Sequence, residues 1–392
     1  MPDIKPKILY ILSRIPYPLE KGDKLRAYYQ MRELSNRYTI IIFAVYQGKV
    51  NPESHKMLSA FCSDIYFVRV PLLTRLWQLF LFSFTKKPMQ AGYFFSRKAK
   101  RELRQLVASR KPDVAVCQMV RMAEYMEGLN IPCHFDYMDA LSMSLGRRIQ
   151  YLSFPKKTLI RLEHKRLQWY ELQLLGRFRT YSIISDQDRE AFPEENREGI
   201  CIIPNGIDES YFTYPAQPKD IDLIFTGNMA YPPNILAAVL LVREIMPLVW
   251  QKRPETHLVI VGTSPVAKVK ALAGDKVRVT GWVDNIRDYY ARSRVFVAPM
   301  QIGAGQQNKL LEAMAMGVPC VTSVLANNAM GATDGIEVLL GDSPRVFSEK
   351  ILQLLRSEPL CKEVGESGRR FVKTNYTWES SVGLLEKNLF PA

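Results

Sequence analysis

The sequence predicts an α/β protein with two doubly wound, parallel-sheet domains, and two observations lead to this fold class. Short runs rich in β-branched and aromatic residues alternate with longer segments of helical spacing along most of the 392 residues. This alternation is typical of βαβ units. It restarts after a proline-rich join near 212–219. Ligands of such Rossmann-like sheets bind beyond the carboxyl ends of the strands, so we expect two domains facing across a cleft.

Each expected strand is a short apolar run, and each expected helix has apolar residues at a spacing of three or four. In the first half, strands are expected at 7–13, 39–46, 64–70, 113–118, 133–137, 180–185 and 200–204, and helices at 23–37, 98–109 and 158–176. In the second half, strands are expected at 222–226, 258–262, 277–280, 295–299 and 319–322, and helices at 234–252, 266–272, 286–293 and 308–316. We therefore expect a first domain at 1–212, a second at 213–376 and a final helix at 377–392.

The composition is that of a globular protein, with 47% hydrophobic and 23% charged residues. The six cysteines are scattered and form no C-x-x-C pair, which argues against a disulfide framework or a zinc site and fits a reducing compartment. We find no signal-peptide pattern and no apolar run of roughly 18 to 20 residues that would span a bilayer. We expect a cytoplasmic protein, either free or peripheral at the inner face of the cytoplasmic membrane.

The positive charge belongs to the first half of the chain. Residues 1–200 carry 33 Lys and Arg against 20 Asp and Glu, a balance of 33 − 20 = +13 of the total +14. Such asymmetry indicates an acidic partner, which can be nucleic acid, an anionic membrane surface or a phosphorylated substrate, and a merely solvated basic surface is the alternative. Nucleic acid is not expected as a partner, because no nucleic-acid recognition module appears.

One apolar segment, LLTRLWQLFLFSF at 72–84, is followed by two lysines. It is too short to span a bilayer. Its apolar side chains, including Leu72, Trp77, Phe80 and Phe84, suit the headgroup region of an anionic membrane, where lysines pair with lipid phosphates. A buried helix of the first domain explains the same pattern, and the sequence leaves both interpretations open.

The segment VFVAPMQIGAGQQNKLLEAMAMGVPCVTS at 295–323 is the most informative about chemistry. A strand is followed by a turn with Gly303 and Gly305, and then by a helix that starts near Asn308. Glycines allow a ligand close to the backbone, and a helix amino terminus attracts phosphate. Lys309 in the first turn suits a diphosphate, and Glu312 one turn later suits the hydroxyls of a ribose. The pattern G-x-G without its third glycine does not make a dinucleotide fingerprint.

The stretch KLLEAMAMGVP at 309–319 resembles the nucleotide-sugar signature of family 4 glycosyltransferases, which have the GT-B fold. IPNGID at 203–208, FTG at 225–227 and TGWV at 280–283 agree with it, and YTWE at 376–379 resembles the helix that returns to the first domain in that fold. RIPYP at 14–18, GDKLR at 22–26 and KPMQAGYF at 87–94 resemble the sugar transferases of exosortase and exopolysaccharide systems.

This resemblance implies a hexosyltransferase that moves a sugar from a UDP-, GDP- or similar donor to a lipid-linked or polysaccharide acceptor in bacterial-type surface polysaccharide synthesis. It further implies retention of anomeric configuration, no cofactor or required metal, and domain closure around the donor. The residues expected to bind the donor are Gly22, Gly227, Asn228, Val283, Gly303, Gly305, Gln306, Gln307, Asn308, Lys309 and Glu312.

The chain departs from the family pattern at two places. Family members usually carry a first glutamate ahead of the one that matches Glu312, and here Ala304 stands in that region. The Arg/Lys pair that often follows the glycine matching Gly227 is also missing, so Lys309 is expected to neutralise the diphosphate.

Candidate residues of the first domain follow its expected strands or begin its first helix. Asp139, Arg121 and, from the second domain, Lys309 are the expected catalytic residues. Lys24, Arg26 and Asp136 are expected to bind the acceptor. Solvated helix charges, and a helix cap formed by Asp139, are the structural alternatives.

Two other functions fit the same residues. A nucleotide-sugar epimerase of the same fold would convert the donor without an acceptor. A catalytically silent nucleotide-sugar-binding scaffold would bind the donor without turnover, and Ala304 is the residue that favours this alternative.

Overall fold

The computed structural model describes residues 5–302 and 305–391, apart from the side chain of residue 151. The strands are β1 (Lys7–Leu12), β2 (Thr39–Tyr46), β3 (Asp64–Arg69), β4 (Val114–Gln118), β5 (Cys133–Asp136), β6 (Thr180–Ile183), β7 (Ile200–Ile202), β8 (Ile221–Thr226), β9 (Leu258–Val261), β10 (Val277–Val279), β11 (Ser293–Ala298), β12 (Cys320–Ser323) and β13 (Leu339–Gly341).

The helices of the first two hundred residues are α1 (Gly22–Leu34), α2 (Glu53–Ser59), α3 (Leu72–Ser83), α4 (Met89–Phe94), α5 (Arg97–Arg110), α6 (Ala123–Met126), α7 (Leu141–Arg148), α8 (Lys156–Leu174), α9 (Asp186–Arg189) and α10 (Glu194–Arg197). Those that follow are α11 (Pro232–Leu240), α12 (Met246–Lys252), α13 (Ala267–Lys270), α14 (Ile286–Arg292), α15 (Asn308–Ala315), α16 (Val324–Asn327), α17 (Pro344–Arg356), α18 (Glu358–Asn375) and α19 (Trp378–Leu389).

The first compact unit runs to Pro204 and includes the chain again from Trp378. Its sheet has the strand order β3-β2-β1-β4-β5-β6-β7, and every pair is parallel. Apolar residues cover both faces of this sheet, as a parallel sheet between helix layers requires. The carboxyl ends of all seven strands therefore lie at one edge, where the loops leading into the helices lie.

Helix α19 belongs to the first unit. Trp378 stacks on Tyr29 of α1 with ring centroids 5.0 Å apart. Tyr38 donates a 2.6 Å hydrogen bond to Glu386, and Ser381 donates to the carbonyl of Pro204. These contacts explain why the end of the chain returns to the first unit.

The second compact unit is Asn205–Thr377. Its parallel sheet has the order β10-β9-β8-β11-β12-β13. The expected break after Phe212 differs from this boundary, because Phe212 is buried in the core of the second unit and its carbonyl accepts a hydrogen bond from Arg369. Strand β13, which has only three residues, was not expected from the sequence.

One helix of the second unit contains an apolar stretch long enough to span a bilayer, which the sequence analysis did not find. Helices α11 and α12 join through a π-helical turn at Leu241–Ile245 into one helix, Pro232–Lys252, with a mean hydropathy of 1.5. Length and composition alone would let it cross a membrane, but half of the apolar window is buried in the protein. Leu241, Ile245 and Val249 lie in the core of the second unit, so we interpret this helix as a core element.

Candidate functional site

The best-defined candidate site lies at the carboxyl edge of the second sheet, where β11 leads through a loop into α15. Gly305 in this loop has φ 74°, a backbone conformation that favours glycine. Gln307 precedes the helix and Asn308 begins it, as expected. The expected site residue Gly303 and the departure at Ala304 lie outside the described residues.

Lys309 is the central cation of this edge. Its ammonium donates a 2.6 Å hydrogen bond to the Asn234 side-chain oxygen and lies 3.7 Å from the sulfur of Met300. It also lies 5.5 Å from the centre of the Phe225 ring. Burial lowers the pKa of Lys309 to about 8, although the charge of Glu312 opposes this change. The ammonium is therefore held at an energetic cost that a bound anion would offset.

Glu312 lies one turn further along α15. Tyr290, fully buried, donates a 3.0 Å hydrogen bond to its carboxylate, and the Tyr290 and Thr226 hydroxyls lie 2.7 Å apart. Burial raises the pKa of Glu312 to about 7, against the opposing effects of Tyr290 and Lys309. A partly buried carboxylate with oriented lone pairs can accept two hydroxyl hydrogen bonds from a sugar.

The backbone around Asn205 fixes the loop that precedes α15. The Asn205 N–H donates a 2.7 Å hydrogen bond to the Gln306 side-chain oxygen, and the Gln306 amide donates back to the Asn205 carbonyl at 3.1 Å. The Asn205 side chain also donates to Asn308. Both ends of the Gln306 amide bond to the Asn205 backbone and support this loop, and donor binding by Gln306 stays a prediction.

Glycines bring strands β8 and β9 into very close contact at this edge. A Cβ on Gly262 would lie 1.7 Å from the carbonyl oxygen of Gly227, and a Cβ on Gly227 would lie 2.6 Å from Asn234. Asn228 accepts a hydrogen bond from Ala230 through its side chain. Its carbonyl accepts one from the Asn234 amide at 3.0 Å. Among the expected donor residues, Gly227 and Asn228 are thus connected to Lys309 through Asn234.

The two remaining expected residues of this unit have less support. Val283 is half-buried and packs against the second core. The Gln307 amide donates a 3.3 Å hydrogen bond to the carbonyl of Gly305. These contacts are local, and among the described residues they do not connect to Lys309.

The first unit places a second group of charges at the carboxyl edge of its own sheet. Arg14 follows β1, and its guanidinium pairs with Asp23 in the first turn of α1. Arg121 follows β4, and Arg14 and Arg121 lie 5.9 Å and 5.1 Å from the centre of the Phe94 ring. Asp139 follows β5. Expected residues Arg121 and Asp139 are therefore in the same region, together with Arg14.

The environment of these groups perturbs their ionisation. Burial and the neighbouring charge of Asp188 raise the pKa of Asp139 to about 7, and Arg121 opposes this change. Burial and the charge of Arg14 lower the pKa of Arg121. One terminal nitrogen of Arg121 and one carboxylate oxygen of Asp139 are buried without a hydrogen-bond partner among the described residues. Perturbed groups with unused bonding capacity at a sheet edge are characteristic of functional sites.

Two expected acceptor residues, Arg26 and Asp136, are instead structural. Arg26 is fully buried and donates two hydrogen bonds to Asp136, at 2.7 Å and 3.2 Å. A third goes to the carbonyl of Ile203. Asp136 also accepts from Ser182, and the charge of Arg26 keeps the pKa of this carboxyl low despite burial. Solvent does not reach this pair, so the prediction that it binds the acceptor is wrong.

The other expected residues at the start of α1 remain at the edge of the sheet. Lys24 forms a 3.0 Å ion pair with Glu20 and is only 12% exposed. Gly22 begins the helix, and a Cβ there would lie 3.1 Å from the end of Met138. Within the described residues, these contacts make Lys24 a paired helix charge.

Sequence reasoning missed Asn234 and Tyr290, which orient Lys309 and Glu312. Neither residue belongs to the glycine-rich segment: Asn234 lies in the first turn of α11, and Tyr290 lies in α14. The sequence signal that could have indicated Asn234 is its place after two prolines at the start of the helix that follows β8.

Comparison with known proteins agrees with this arrangement. Residues 220–357 match the family model described as glycosyl transferases group 1. Over the whole chain, a sucrose-phosphate synthase from Thermosynechococcus elongatus superposes with a TM-score of 0.70 at 16% identity, covering 97% of this chain and 98% of that one. The chain has the GT-B fold.

Two further relatives cover nearly the whole chain. The structure of Anabaena HepE in complex with UDP and glucose has a TM-score of 0.70 at 14% identity, covering 98% of this chain and 99% of that one. An uncharacterized 44.6 kDa protein in the cps region of Klebsiella pneumoniae is 20% identical over 390 residues, which is 94% of this chain and 96% of that protein. The matched segment 220–357 supports a glycosyltransferase domain, and the solved structures show the GT-B fold.

Proposed function

We propose that this protein transfers a sugar from a nucleotide-sugar donor to a lipid-linked or polysaccharide acceptor. Lys309 is the observation that carries the proposal. Its ammonium is fixed by the neutral oxygen of Asn234 at the carboxyl edge of a Rossmann-like sheet, beside the amino terminus of α15. The diphosphate of a donor supplies the negative charge that such a group lacks.

The chemistry follows from where charge develops. When the bond between the sugar and the diphosphate breaks, negative charge grows on the departing phosphate oxygen. An ammonium already held in place stabilises that charge more than it stabilises the bound donor, which lowers the barrier. Glu312 would accept the ribose hydroxyls and set the register of the nucleotide. With Lys309 in this role, we propose a hexosyl transfer that requires no metal and retains the anomeric configuration.

For the acceptor, we propose the carboxyl edge of the first sheet. Asp139 has a carboxylate with a pKa of about 7, which suits a group that takes a proton from an acceptor hydroxyl near neutral pH. Arg121, with a buried nitrogen free of partners among the described residues, would hold an anionic group of the acceptor. Arg14 beside it adds a second guanidinium.

Two relatives support the donor and the pathway. HepE is described in complex with UDP and glucose, which supports a nucleotide-sugar donor. The Klebsiella protein is described as lying in a cps region, which supports surface polysaccharide synthesis. We propose that the reaction takes place at the cytoplasmic face of the membrane, where nucleotide sugars and lipid-linked acceptors meet.

The first test is a metal-free thermal-shift screen with UDP, GDP, ADP and their common sugar conjugates. We expect one nucleotide to raise the melting temperature by several degrees, because a ligand that binds only the folded state stabilises it. Release of the nucleoside diphosphate is then measured with and without a lipid extract as acceptor source. Conversion of the donor to its epimer without acceptor would indicate the epimerase instead, and binding without turnover under either condition would indicate the scaffold.

A further inference from the structure

Helix α3 exposes most of its large apolar residues, although Phe82 is buried, and it buries the polar Gln78. Leu73 is 80% exposed, Trp77 is 59% exposed and Phe84, directly after the helix, is 77% exposed, whereas Gln78 is 5% exposed. The aromatic rings form a continuous row, with Trp77 stacked on Phe80 at 5.7 Å and Phe80 edge-on to Phe84 at 5.1 Å. A solvent-facing apolar row of this kind indicates a binding surface.

Helix α8 adds a second exposed apolar row. Leu159, Leu162, Trp169 and Leu172 are exposed, and their spacing places them along one side of the helix. Phe154, just before the helix, is 83% exposed. The surface formed by these residues and the exposed residues of α3 is called the α3–α8 surface below.

One polar contact joins the two helices directly, and two further hydrogen bonds join α8 to α4, the helix that follows α3. The guanidinium of Arg166 on α8 donates a 2.8 Å hydrogen bond to the carbonyl of Ser83, the last residue of α3. The Glu163 carboxylate accepts from the backbone N–H groups of Met89 and Gln90, at 2.9 Å and 3.1 Å. The apolar rows therefore lie on neighbouring helices of the first unit.

The charge at this surface has one sign. The segment KKTLIRLEHKR at 156–166 contains five basic residues and one acid. That acid is Glu163, which is 8% exposed and occupied by backbone N–H groups. Lys156, Arg161 and Lys165 are exposed, as is Lys86 just after α3. Exposed cations therefore lie beside the apolar rows, and residues 156–166 contain no exposed carboxylate.

We propose that the α3–α8 surface docks on an anionic lipid bilayer. Exposed aromatic and leucine side chains enter the headgroup boundary, and lysines and arginines beside them pair with lipid phosphates. Helix α3 has 12 residues, so it lies in the interface and does not span the bilayer. The alternative that this segment is a buried helix is wrong, because six apolar side chains between Leu72 and Phe84 are more than half exposed.

The test is sedimentation of the full-length protein with phosphatidylglycerol–phosphatidylcholine vesicles and with phosphatidylcholine vesicles. We expect binding to the anionic vesicles that salt weakens. The triple variant Leu73→Ser, Phe80→Ser, Phe84→Ser is expected to lose about tenfold or more in vesicle affinity. Its melting temperature is expected to stay close to that of the parent, because these side chains are already exposed.

Val324, Ile336 and Leu384 are exposed apolar residues elsewhere in the chain, and a matched control replaces these three by Ser. The control is expected to bind vesicles as the parent does. Failure of the folded parent to bind anionic vesicles would overturn the proposal. A parent dimer that the triple variant dissociates, without vesicle binding, would assign the surface to a second copy of this chain instead.

The contribution of charge is tested separately by a triple variant that combines Lys156→Gln, Arg161→Gln and Lys165→Gln. Each basic side chain near an anionic membrane contributes roughly fivefold in affinity, so this variant is expected to lose about a hundredfold. Equal loss in a variant with exposed lysines of the second unit replaced, Lys268→Gln and Lys270→Gln, would show only a dependence on net charge and would overturn the location.

Discussion

Replacing Lys309 by Met should leave the second unit at least as stable while lowering its affinity for nucleotide. Burial lowers the Lys309 pKa from 10.5 to about 8. At about 1.4 kcal/mol for each tenfold change in ionisation, the charge costs about 3 kcal/mol at neutral pH. The variant loses the hydrogen bond from this charged group to Asn234, worth about 1.5 to 3 kcal/mol. The net gain in unfolding free energy is therefore about 0 to 1.5 kcal/mol, or at most roughly 3 to 6 °C in melting temperature.

The same variant should lose the anion contact. A hydrogen bond to a charged group contributes about 1.5 to 3 kcal/mol, so the affinity for UDP or GDP is expected to fall roughly 10- to 150-fold. Differential scanning calorimetry gives the stability, and titration calorimetry gives the affinity. Lys268→Met, at an exposed lysine of the same unit, is the control and should change neither quantity.

The pH dependence has a definite sign. Because the folded pKa of Lys309 is about 8 and the unfolded value is 10.5, the unfolded chain binds more protons between these values. The parent should therefore gain stability as pH rises through this window, and any stability advantage of Lys309→Met should disappear. Nucleotide affinity of the parent should fall above pH 8, as the ammonium loses its proton. A variant that melts lower than the parent and binds nucleotide equally well would refute this account of Lys309.

Three further changes test the roles of other residues. Asp139→Asn should stabilise the first unit at pH 7 to 8, because the raised pKa of Asp139 makes the parent lose stability as pH rises from about 4 to 7. The same variant should sharply lower turnover, and unchanged turnover would remove the catalytic role of Asp139. Arg26→Met should cost about 3 to 5 kcal/mol in chemical denaturation by leaving the Asp136 carboxylate buried without its cation. Arg26→Met with Asp136→Leu should recover much of this loss, and failure to recover would mean that the other partners, such as Ser182, also depend on the ion pair. Gly262→Ala should lower the melting temperature of the second unit, because its Cβ would meet the Gly227 carbonyl, and a parent-like melting curve would contradict the close approach.

The sequence by itself determined the order and type of most elements. Apolar runs bounded by polar residues fixed the positions of β1 to β12, since parallel strands buried on both faces need continuous apolar residues. Strand β13, Leu339–Gly341, was missed because three residues are too few to show a period. The glycine-rich turn, Lys309 and Glu312 were also predicted, because they lie together along one short segment.

Only the tertiary structure decided which distant parts of the chain are in contact. Arg26 and Asp136 look like free charges in sequence, and their pairing becomes visible only when α1 lies against β5. Likewise Asn234 reaches Lys309 from a helix 75 residues earlier. The segment at 72–84 could be core or surface from its composition, because an apolar pattern does not state what covers it. Packing of the surrounding helices decides this, and it leaves the apolar side of α3 exposed.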